Sequence, residues 1–238
     1  MKKSLLVLAL LSAFAPVLAQ AEAGDVVVRL RAAYVNPDEK SKLGSVSAGA
    51  GTTYSNLMGA DSKLAVGNNT IPELDISYYF TKNIAAELIL ATGTRHGVSI
   101  VNNSAAAPSG GALKDQYLGS VNILPPTLTA QWHFNPDQMI DPYVGAGVNY
   151  THSFDRNLAT TQVAAGKAIH IDQNMFGVVA QAGVDVNLGS GWLINADVKY
   201  VTMNTNVKLT LDNGATWTKI DDLDINPWVF GVGIGKKF

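Results

Sequence analysis

The sequence predicts an all-β protein, an eight-stranded antiparallel transmembrane β-barrel. Three observations lead to this fold class. Apolar and polar residues alternate with a period of two in eight segments, the connections between these segments alternate between short and long, and aromatic residues collect on the apolar face. In a chain with only 15% charged residues, strands that have one apolar face are typical of a barrel wall in contact with lipid.

Length and composition exclude several other classes of protein. The chain has 238 residues, no cysteine and a formal net charge of −2. This charge excludes a basic nucleic-acid-binding surface, and the absence of cysteine excludes a disulfide framework, a thiol nucleophile and thiolate metal sites. After residue 21 no uninterrupted apolar run reaches the ~18 residues typical of a membrane-spanning helix.

The N-terminus has the pattern of an export signal. Lys2 and Lys3 precede the apolar stretch Leu5 to Leu18, and the small-residue pattern Ala19-Gln20-Ala21 follows. We therefore predict a cleaved signal peptide over residues 1–21, with Ala23 as the alternative cleavage site, and a barrel domain over residues 22–238. A short membrane anchor is the other interpretation, but the apolar run is shorter than the ~20 residues that a spanning helix needs.

Each predicted strand separates its apolar residues from its polar residues. In the first, Val28, Leu30 and Ala32 alternate with Arg29 and Arg31, a separation that helical spacing would not produce. The eight predicted strands cover residues 26–34, 73–80, 84–90, 127–134, 144–151, 176–187, 192–200 and 228–235. Their even number and their lengths suit a closed antiparallel barrel.

The connections distinguish the two ends of the predicted barrel. Residues 81–83, 135–141 and 189–191 form short segments rich in turn-forming residues, whereas 36–72, 93–122, 155–174 and 202–224 are long. We interpret the short connections as periplasmic turns and the long ones as extracellular loops. Within the loops, residues 49–59 and 105–112 are predicted to be mobile.

Aromatic residues distinguish this barrel from a soluble β-sandwich, which is the alternative for alternating strands. One group lies near the short-turn end of the predicted strands and a second near the long-loop end, as expected for a wall that meets two membrane interfaces. A sandwich accounts neither for these two bands nor for the C-terminal Phe238.

The polar faces of the strands predict a narrow, charged lumen. An eight-stranded barrel has room for side chains or one small ligand, so a wide aqueous porin is excluded. Charged residues of the strands, with Glu73 and Asp75 among them, occupy the inward face. They either pair to fill the interior and fix the register, or they also plug the periplasmic half and force a hydrophobic solute to leave sideways. The predicted lumen-lining residues are Arg29, Arg31, Glu87, Ile89, Gln131, His133, Gln181, Asp185, Asn195, Asp197 and Lys199.

Glycines on the last strand are predicted to make room for the arginines of the first. Gly231, Gly233 and Gly235 form an inward column, and in a closed barrel this strand neighbours the one that carries Arg29 and Arg31.

Two prolines predict a break in the barrel wall. Pro125 and Pro126 open the predicted fourth strand, and neither can donate a backbone hydrogen bond. We predict a bulge or gap near the outer rim, which would serve as a lateral portal into the lipid. The alternative is a loop that ends one residue later.

Four stretches together resemble the OmpW family of small outer-membrane proteins, which includes the AlkL-type proteins. They are LPPTLTAQWHF (124–134), PYVGAGVNYT (142–151), QAGVDVNLGSGWLINADVKY (181–200) and DINPWVFGVGIGKKF (224–238). The resemblance implies an eight-stranded barrel in the outer membrane of a Gram-negative bacterium, with a narrow, mainly apolar lumen that admits small hydrophobic molecules. It also implies contact with outer-membrane lipid and lipopolysaccharide.

Three residues can be compared directly with the pattern of this family. Phe238 matches the C-terminal aromatic signal by which the barrel-insertion machinery recognises its substrates. Ile89 matches an apolar lumen position of the family. Lys199 departs from the family pattern, because the family can carry a bulky apolar group at its position.

We therefore expect a small outer-membrane channel for passive uptake of small hydrophobic molecules. The alternative is a structural or receptor barrel whose extracellular loops bind partners. An enzyme is not expected, because the four histidines lie on separate segments and no G-x-S-x-G or H-E-x-x-H motif occurs. Neither a cofactor nor a metal site is predicted, and the pair His170 and Asp172 is too small a ligand set for one.

Overall fold

The computed structural model describes residues 22–44, 61–101, 115–158 and 168–238. The predicted signal peptide and the predicted mobile segments 49–59 and 105–112 lie outside these residues. The fifteen strands of the described chain are β1 Val26–Asn36, β2 Lys63–Val66, β3 Asn69–Tyr79, β4 Ile84–Ala91, β5 Thr94–Val101, β6 Gln116–Leu124, β7 Thr127–His133, β8 Ile140–Ser153, β9 Asn157–Leu158, β10 Ala168–Ile171, β11 Asn174–Gly189, β12 Trp192–Val201, β13 Asn204–Thr210, β14 Thr218–Asp224 and β15 Trp228–Lys237.

Eight of these strands close into an antiparallel barrel, which confirms the predicted fold class. The order around the barrel is β1, β3, β4, β7, β8, β11, β12 and β15. The last strand returns to the first, with Val27 opposite Lys237 and Asn36 opposite Trp228. Because the sheet closes on itself, the barrel has no exposed edge strand.

The two faces of the barrel wall carry the predicted polarity. Leu30 is 58% exposed on the outer face, whereas its neighbours Arg29 and Arg31 are buried inside. The exposed apolar side chains include two aromatic groups: Phe80, Trp132, Phe134 and Trp192 near the short turns, and Tyr34, Tyr150, Phe176 and Trp228 at the opposite end. Within the described part of the chain, no helix has the length and apolar character needed to cross a membrane.

The long connections, predicted as loops, contain seven further strands. We call these strands, β2, β5, β6, β9, β10, β13 and β14, the collar. Four of them form a separate sheet in the order β14-β13-β10-β9, and β2, β5 and β6 extend the barrel sheet. The lipid-facing pattern of the sequence does not predict them, because their inward face is the apolar one, the reverse of the barrel strands.

The collar surrounds an apolar core of its own. Its buried members include Leu64, Val98, Leu158, Val207 and Leu223. Hydrogen bonds from Ser41 and Lys42 to the carboxylate of Asp221 attach the segment after β1 to β14. A β-bridge between Lys40 and Asp224 strengthens the same attachment. The collar is therefore a packed extension of the barrel rather than a set of free loops.

The glycine column of β15 provides space for the arginines of β1. A Cβ added at Gly233 would lie 2.0 Å from the Leu30 carbonyl oxygen and 2.8 Å from Arg31 Cγ. One added at Gly231 would lie 2.2 Å from Asp197 Oδ1. All three distances are far inside van der Waals contact, so this wall requires glycine at both positions.

The two prolines precede the strand that they were predicted to open. Strand β7 begins at Thr127, so Pro125 and Pro126 belong to the connection between β6 and β7 and do not open the strand. The reason is that proline lacks the N–H needed to pair in the ladder, and pairing of β7 with β4 and β8 starts at the first residue that has one.

Candidate functional site

A charged layer fills the interior of the barrel, and Arg31 lies at its centre. Arg31 is 2% exposed and forms salt bridges with four carboxylates. Its two terminal nitrogens each lie 2.8 Å from a carboxylate oxygen, Nη2 from Glu87 Oε1 and Nη1 from Asp197 Oδ2. Its Nε contacts Glu73, at 3.2 Å, and also Asp75. Since a buried charge needs a partner, this guanidinium fixes the positions of three neighbouring strands.

Arg29 links a second group of side chains to the same layer. Its Nη2 pairs with Asp185, its Nη1 donates to Ser77 Oγ at 2.6 Å, and the same nitrogen lies 3.3 Å from Glu87 Oε1. Glu87 therefore lies between Arg29 and Arg31 and joins the two guanidinium groups into one network.

Three buried amides complete the layer: Gln131, Gln181 and Asn195. Gln181 Nε2 donates to Glu87 Oε2 and to Asp197 Oδ2, at 2.9 Å each. Asn195 Nδ2 donates to Asp185 Oδ1 at 2.7 Å. Of these oxygens, Glu87 Oε2 has no cationic partner among the described residues, whereas Asp185 Oδ1 and Asp197 Oδ2 also accept from cations. The amides therefore join the ion pairs into one hydrogen-bonded network that fills the interior at this depth.

Lys199 and Glu73 form the surface of the charged layer on the side of the collar. Lys199 Nζ lies 2.7 Å from Glu73 Oε1 and 2.8 Å from Asp197 Oδ2. Both Lys199 and Glu73 also line the cavity above the layer. The lysine that departs from the family pattern is thus neutralised by two carboxylates and does not present an unpaired charge to the cavity.

His133 occupies the periplasmic side of the layer. Its Nδ1 lies 2.7 Å from Asp141 Oδ2, and the Tyr79 hydroxyl lies 3.2 Å from its Nε2. Asp185 lies close enough that one ligand atom from each of His133, Asp141 and Asp185 falls within 4.8 Å of the others. However, Asp185 is engaged by Arg29, so its carboxylate belongs to an ion pair rather than to an open metal-ligand set.

A cavity of about 110 Å³ lies directly above the charged layer, where the barrel meets the collar. A single water molecule needs only about 10–15 Å³ on this scale, so the space suits a small organic molecule. The apolar lining residues include Ile71, Ile89, Ala91, Met175, Val201 and Val229 of the barrel and Leu64, Val98, Val121, Leu158, Val207 and Leu223 of the collar. We call this cavity the chamber.

One side of the chamber has a break in the strand pairing. The last pair of β4 and β7 is Ile89 with Thr127, and the first pair of β5 and β6 is Thr94 with Ile123. Between them, residues 90–93 and 124–126 face each other without pairing. We call this unpaired stretch the slot, and Pro125 lies both beside it and in the lining of the chamber.

The structure places the predicted lumen residues in two zones. Ile89, at 3% exposure, lies in the chamber wall, and Lys199 lies in its floor. The remaining predicted residues are Arg29, Arg31, Glu87, Gln131, His133, Gln181, Asp185, Asn195 and Asp197, and all of them lie buried in the charged layer. At the C-terminus, Phe238 exchanges backbone hydrogen bonds with Val26, and its side chain is exposed.

The sequence reading missed the collar half of the chamber and one polar residue of its wall. Val98 and Ile100 of β5, like Val207 and Leu209 of β13, are buried at alternate positions, and this pattern was a detectable signal. Asn149 belongs to the predicted strand 144–151 but is not among the predicted lumen-lining residues. In the structure it lines the chamber and contacts the Pro125 carbonyl beside the break.

Comparison with known proteins supports this architecture. "Outer membrane protein W" of Vibrio cholerae serotype O1 is 35% identical over 241 residues, covering 100% of both chains. "Outer membrane protein AlkL" of Ectopseudomonas oleovorans is 27% identical, covering 83% of this chain and 76% of its own. The crystal structure of the outer membrane protein OprG from Pseudomonas aeruginosa superimposes with a TM-score of 0.73 at 30% identity and covers 92% of this chain and 98% of its own.

These similarities place the protein in the outer membrane of a Gram-negative bacterium, where its apolar wall contacts membrane lipids. The OmpW family model matches residues 22–238, the entire predicted barrel domain. The chain belongs to the OmpW family of outer-membrane β-barrel proteins.

Proposed function

We propose that the protein is a passive channel for small hydrophobic molecules, which enter the chamber from the extracellular side and leave through the slot into the membrane. The observation that carries this proposal is the chamber's position: an apolar cavity lies directly above a closely packed charged layer and beside a break in the wall. An apolar solute gains from the lining and has no favourable route through the ion pairs below.

Slot geometry supports lateral exit. Pro125 and Pro126 have no N–H with which to close the ladder, and the Thr92 N–H donates away from the slot, to the Pro72 carbonyl at 3.4 Å. Leu124 and Thr92, on opposite sides of the slot, are both exposed on the outer surface. An apolar molecule that passes between them reaches lipid without crossing a water-filled path.

Ile89→Asp tests the route through the chamber. A carboxylate in this apolar wall raises the free energy of an apolar solute beside it, so we expect uptake to fall about tenfold. The assay uses vesicles with lipopolysaccharide in the outer leaflet and N-phenyl-1-naphthylamine, a probe that fluoresces on reaching the lipid interior. Ser99→Asp, which adds the same charge to the collar outside the chamber lining, is the matched control.

Unchanged uptake by a folded Ile89→Asp variant would count against a route through the lumen. Folding is checked by heat-modifiable migration on a gel, which reports an intact barrel. Shortening residues 49–59 tests the receptor alternative in the same assay, because a channel retains uptake when a partner-binding loop is removed.

Replacing Pro125 with Val and Pro126 with Thr tests lateral exit. Both new residues supply an N–H, so we expect the slot to pair partly with residues 90–93 and uptake to fall about fivefold. Equal probe flux in the double variant and the wild type would contradict the portal.

A further inference from the structure

We infer that Asn149 is the positioning residue that holds the slot open, because its amide fastens the segment 124–126 to β8. This inference rests on the proposed function and assigns a role to a residue outside the predicted site. Asn149 lies on β8, opposite Thr127, and is 3% exposed. Its side chain therefore faces the chamber at the point where the ladder between β4 and β7 ends.

The amide nitrogen of Asn149 lies within hydrogen-bond distance of three acceptors around the start of β7, and the Thr127 hydroxyl also donates to one of them, the Pro125 carbonyl. Nδ2 lies 2.8 Å from Thr127 Oγ1, 3.2 Å from the Pro125 carbonyl oxygen and 3.4 Å from the Pro126 carbonyl oxygen. Thr151 Oγ1 donates to Asn149 Oδ1 at 2.8 Å and so fixes which end of the amide faces the prolines. All of these groups are in or next to an apolar cavity, where an unsatisfied carbonyl is costly.

Attachment of the segment 124–126 is one-sided. On the β8 side, the Tyr150 N–H donates to the Pro126 carbonyl at 3.0 Å, and Leu124 pairs with His152. Towards residues 90–93 it has no strand pairing. Asn149 thus adds side-chain hydrogen bonds on the side that is already attached, and this pulls the prolines away from the opposite rim of the slot.

The variant Asn149→Leu distinguishes this anchoring of the segment 124–126 from a simple contribution of Asn149 to the lining of the chamber. Leucine has nearly the same shape and makes the chamber more apolar, so a lining effect alone would leave uptake of N-phenyl-1-naphthylamine unchanged or faster. Loss of the amide instead frees the segment to move towards residues 90–93. We expect uptake to fall roughly fivefold, the factor that corresponds to one lost hydrogen bond.

Spin-label distances across the slot provide a second readout that a purely stabilising role would not change. The chain has no cysteine, so Thr92→Cys and Leu124→Cys attach nitroxides at two defined exposed positions. In the background of Asn149→Leu, we expect the distance distribution to shift to shorter values, while heat-modifiable migration stays that of the wild type. Asn174→Leu, an exposed asparagine that contacts Tyr150 and His152 at the rim, is the matched control.

Each outcome bears on the inference. Slower uptake together with a shorter distance supports it, and an unchanged distance overturns it even if uptake falls. If Asn149→Leu does not fold, Asn149→Ser carries the test, because serine keeps one donor and should give intermediate values of both readouts. If the wild type takes up no probe, the proposed function fails, while the distance measurement still tests the attachment of the slot.

Discussion

The barrel and the collar are built from successive strands of the chain but have opposite polarity. In β12 of the barrel, Ile194 faces outward and Asp197 faces inward. In β13 of the collar, which follows β12 in the chain, Asn206 faces outward and Val207 faces inward. The period of two is the same in both regions. The surroundings differ: lipid requires an apolar outer face, and water permits a polar one.

This difference explains where the chamber lies. Inside the barrel, the polar side chains must satisfy one another, and they pack into the charged layer. Inside the collar, the apolar side chains form a core. At the boundary, Lys199 is followed two residues later by Val201, and both line the cavity. Neither the charged layer nor the apolar core fills the space completely there, and the cavity remains. A ligand site can thus arise from a reversal of polarity along ordinary strands.

Arg31→Met should give the largest effect, because it removes the central cation of the barrel layer. Four carboxylates lose their shared partner, so we expect the free energy of unfolding to fall by about 3–5 kcal/mol. Urea unfolding in lipid vesicles, followed by tryptophan fluorescence, measures this. Lys82→Met, which breaks an exposed ion pair with Asp137, is the control and should cost about 0–1 kcal/mol. Equal effects of the two variants would contradict a structural role for the layer.

The same substitution on each side of the boundary should sharpen the comparison. Val232→Lys places a charge against lipid midway along β15, between Trp228 and the Lys236 that pairs with Trp192, and should cost about 2–4 kcal/mol. Asn206→Lys places it on the outer side of the collar and should cost at most about 1 kcal/mol, the contribution of the hydrogen bond that Asn206 Nδ2 donates to Asp172. The same unfolding assay applies, and similar costs for both variants would show that the collar is not in water.

The smallest expected effect is a pH dependence confined to the collar. Hydrogen bonds from Thr216 and Thr210 hold the pKa of Asp212 below its usual value. Because the folded pKa is the lower one, the stabilisation is present above the unfolded pKa and is lost as pH falls through the folded value. The protection of the Thr216 amide against hydrogen exchange, measured relative to the intrinsic exchange rate at the same pH, should therefore fall in acid. Asp212→Asn should lose this pH dependence, and an acid response that persists in that variant would assign it to another group.

Much of the barrel could be predicted from the sequence because lipid imposes a strict pattern on its wall. The alternation of Leu30 with Arg29 and Arg31 already gave the strand, its two faces and the need for buried partners. The partners themselves could not be predicted, since Arg29 and Asp185 lie 156 residues apart and meet only after the barrel closes. The charged lumen was predicted, whereas the chamber above it was not.

The collar and the slot were harder to predict for separate reasons. The apolar residues of β5 alternate as clearly as those of the barrel, but a reading for lipid-facing strands assigns them to loops. The role of Asn149 depends on contacts with two proline carbonyls, 23 and 24 residues away in the sequence, that lie beside it only in the folded barrel. No spacing rule in a single sequence marks such a contact.

The most direct test of the central claim compares two fluxes in the same lipopolysaccharide-containing vesicles. The wild-type protein should accelerate entry of N-phenyl-1-naphthylamine into the lipid while ionic conductance stays near that of protein-free membranes, because the charged layer closes the lumen. A large ionic conductance without accelerated probe entry would contradict it, since solutes would then pass straight through the barrel and not out of its side.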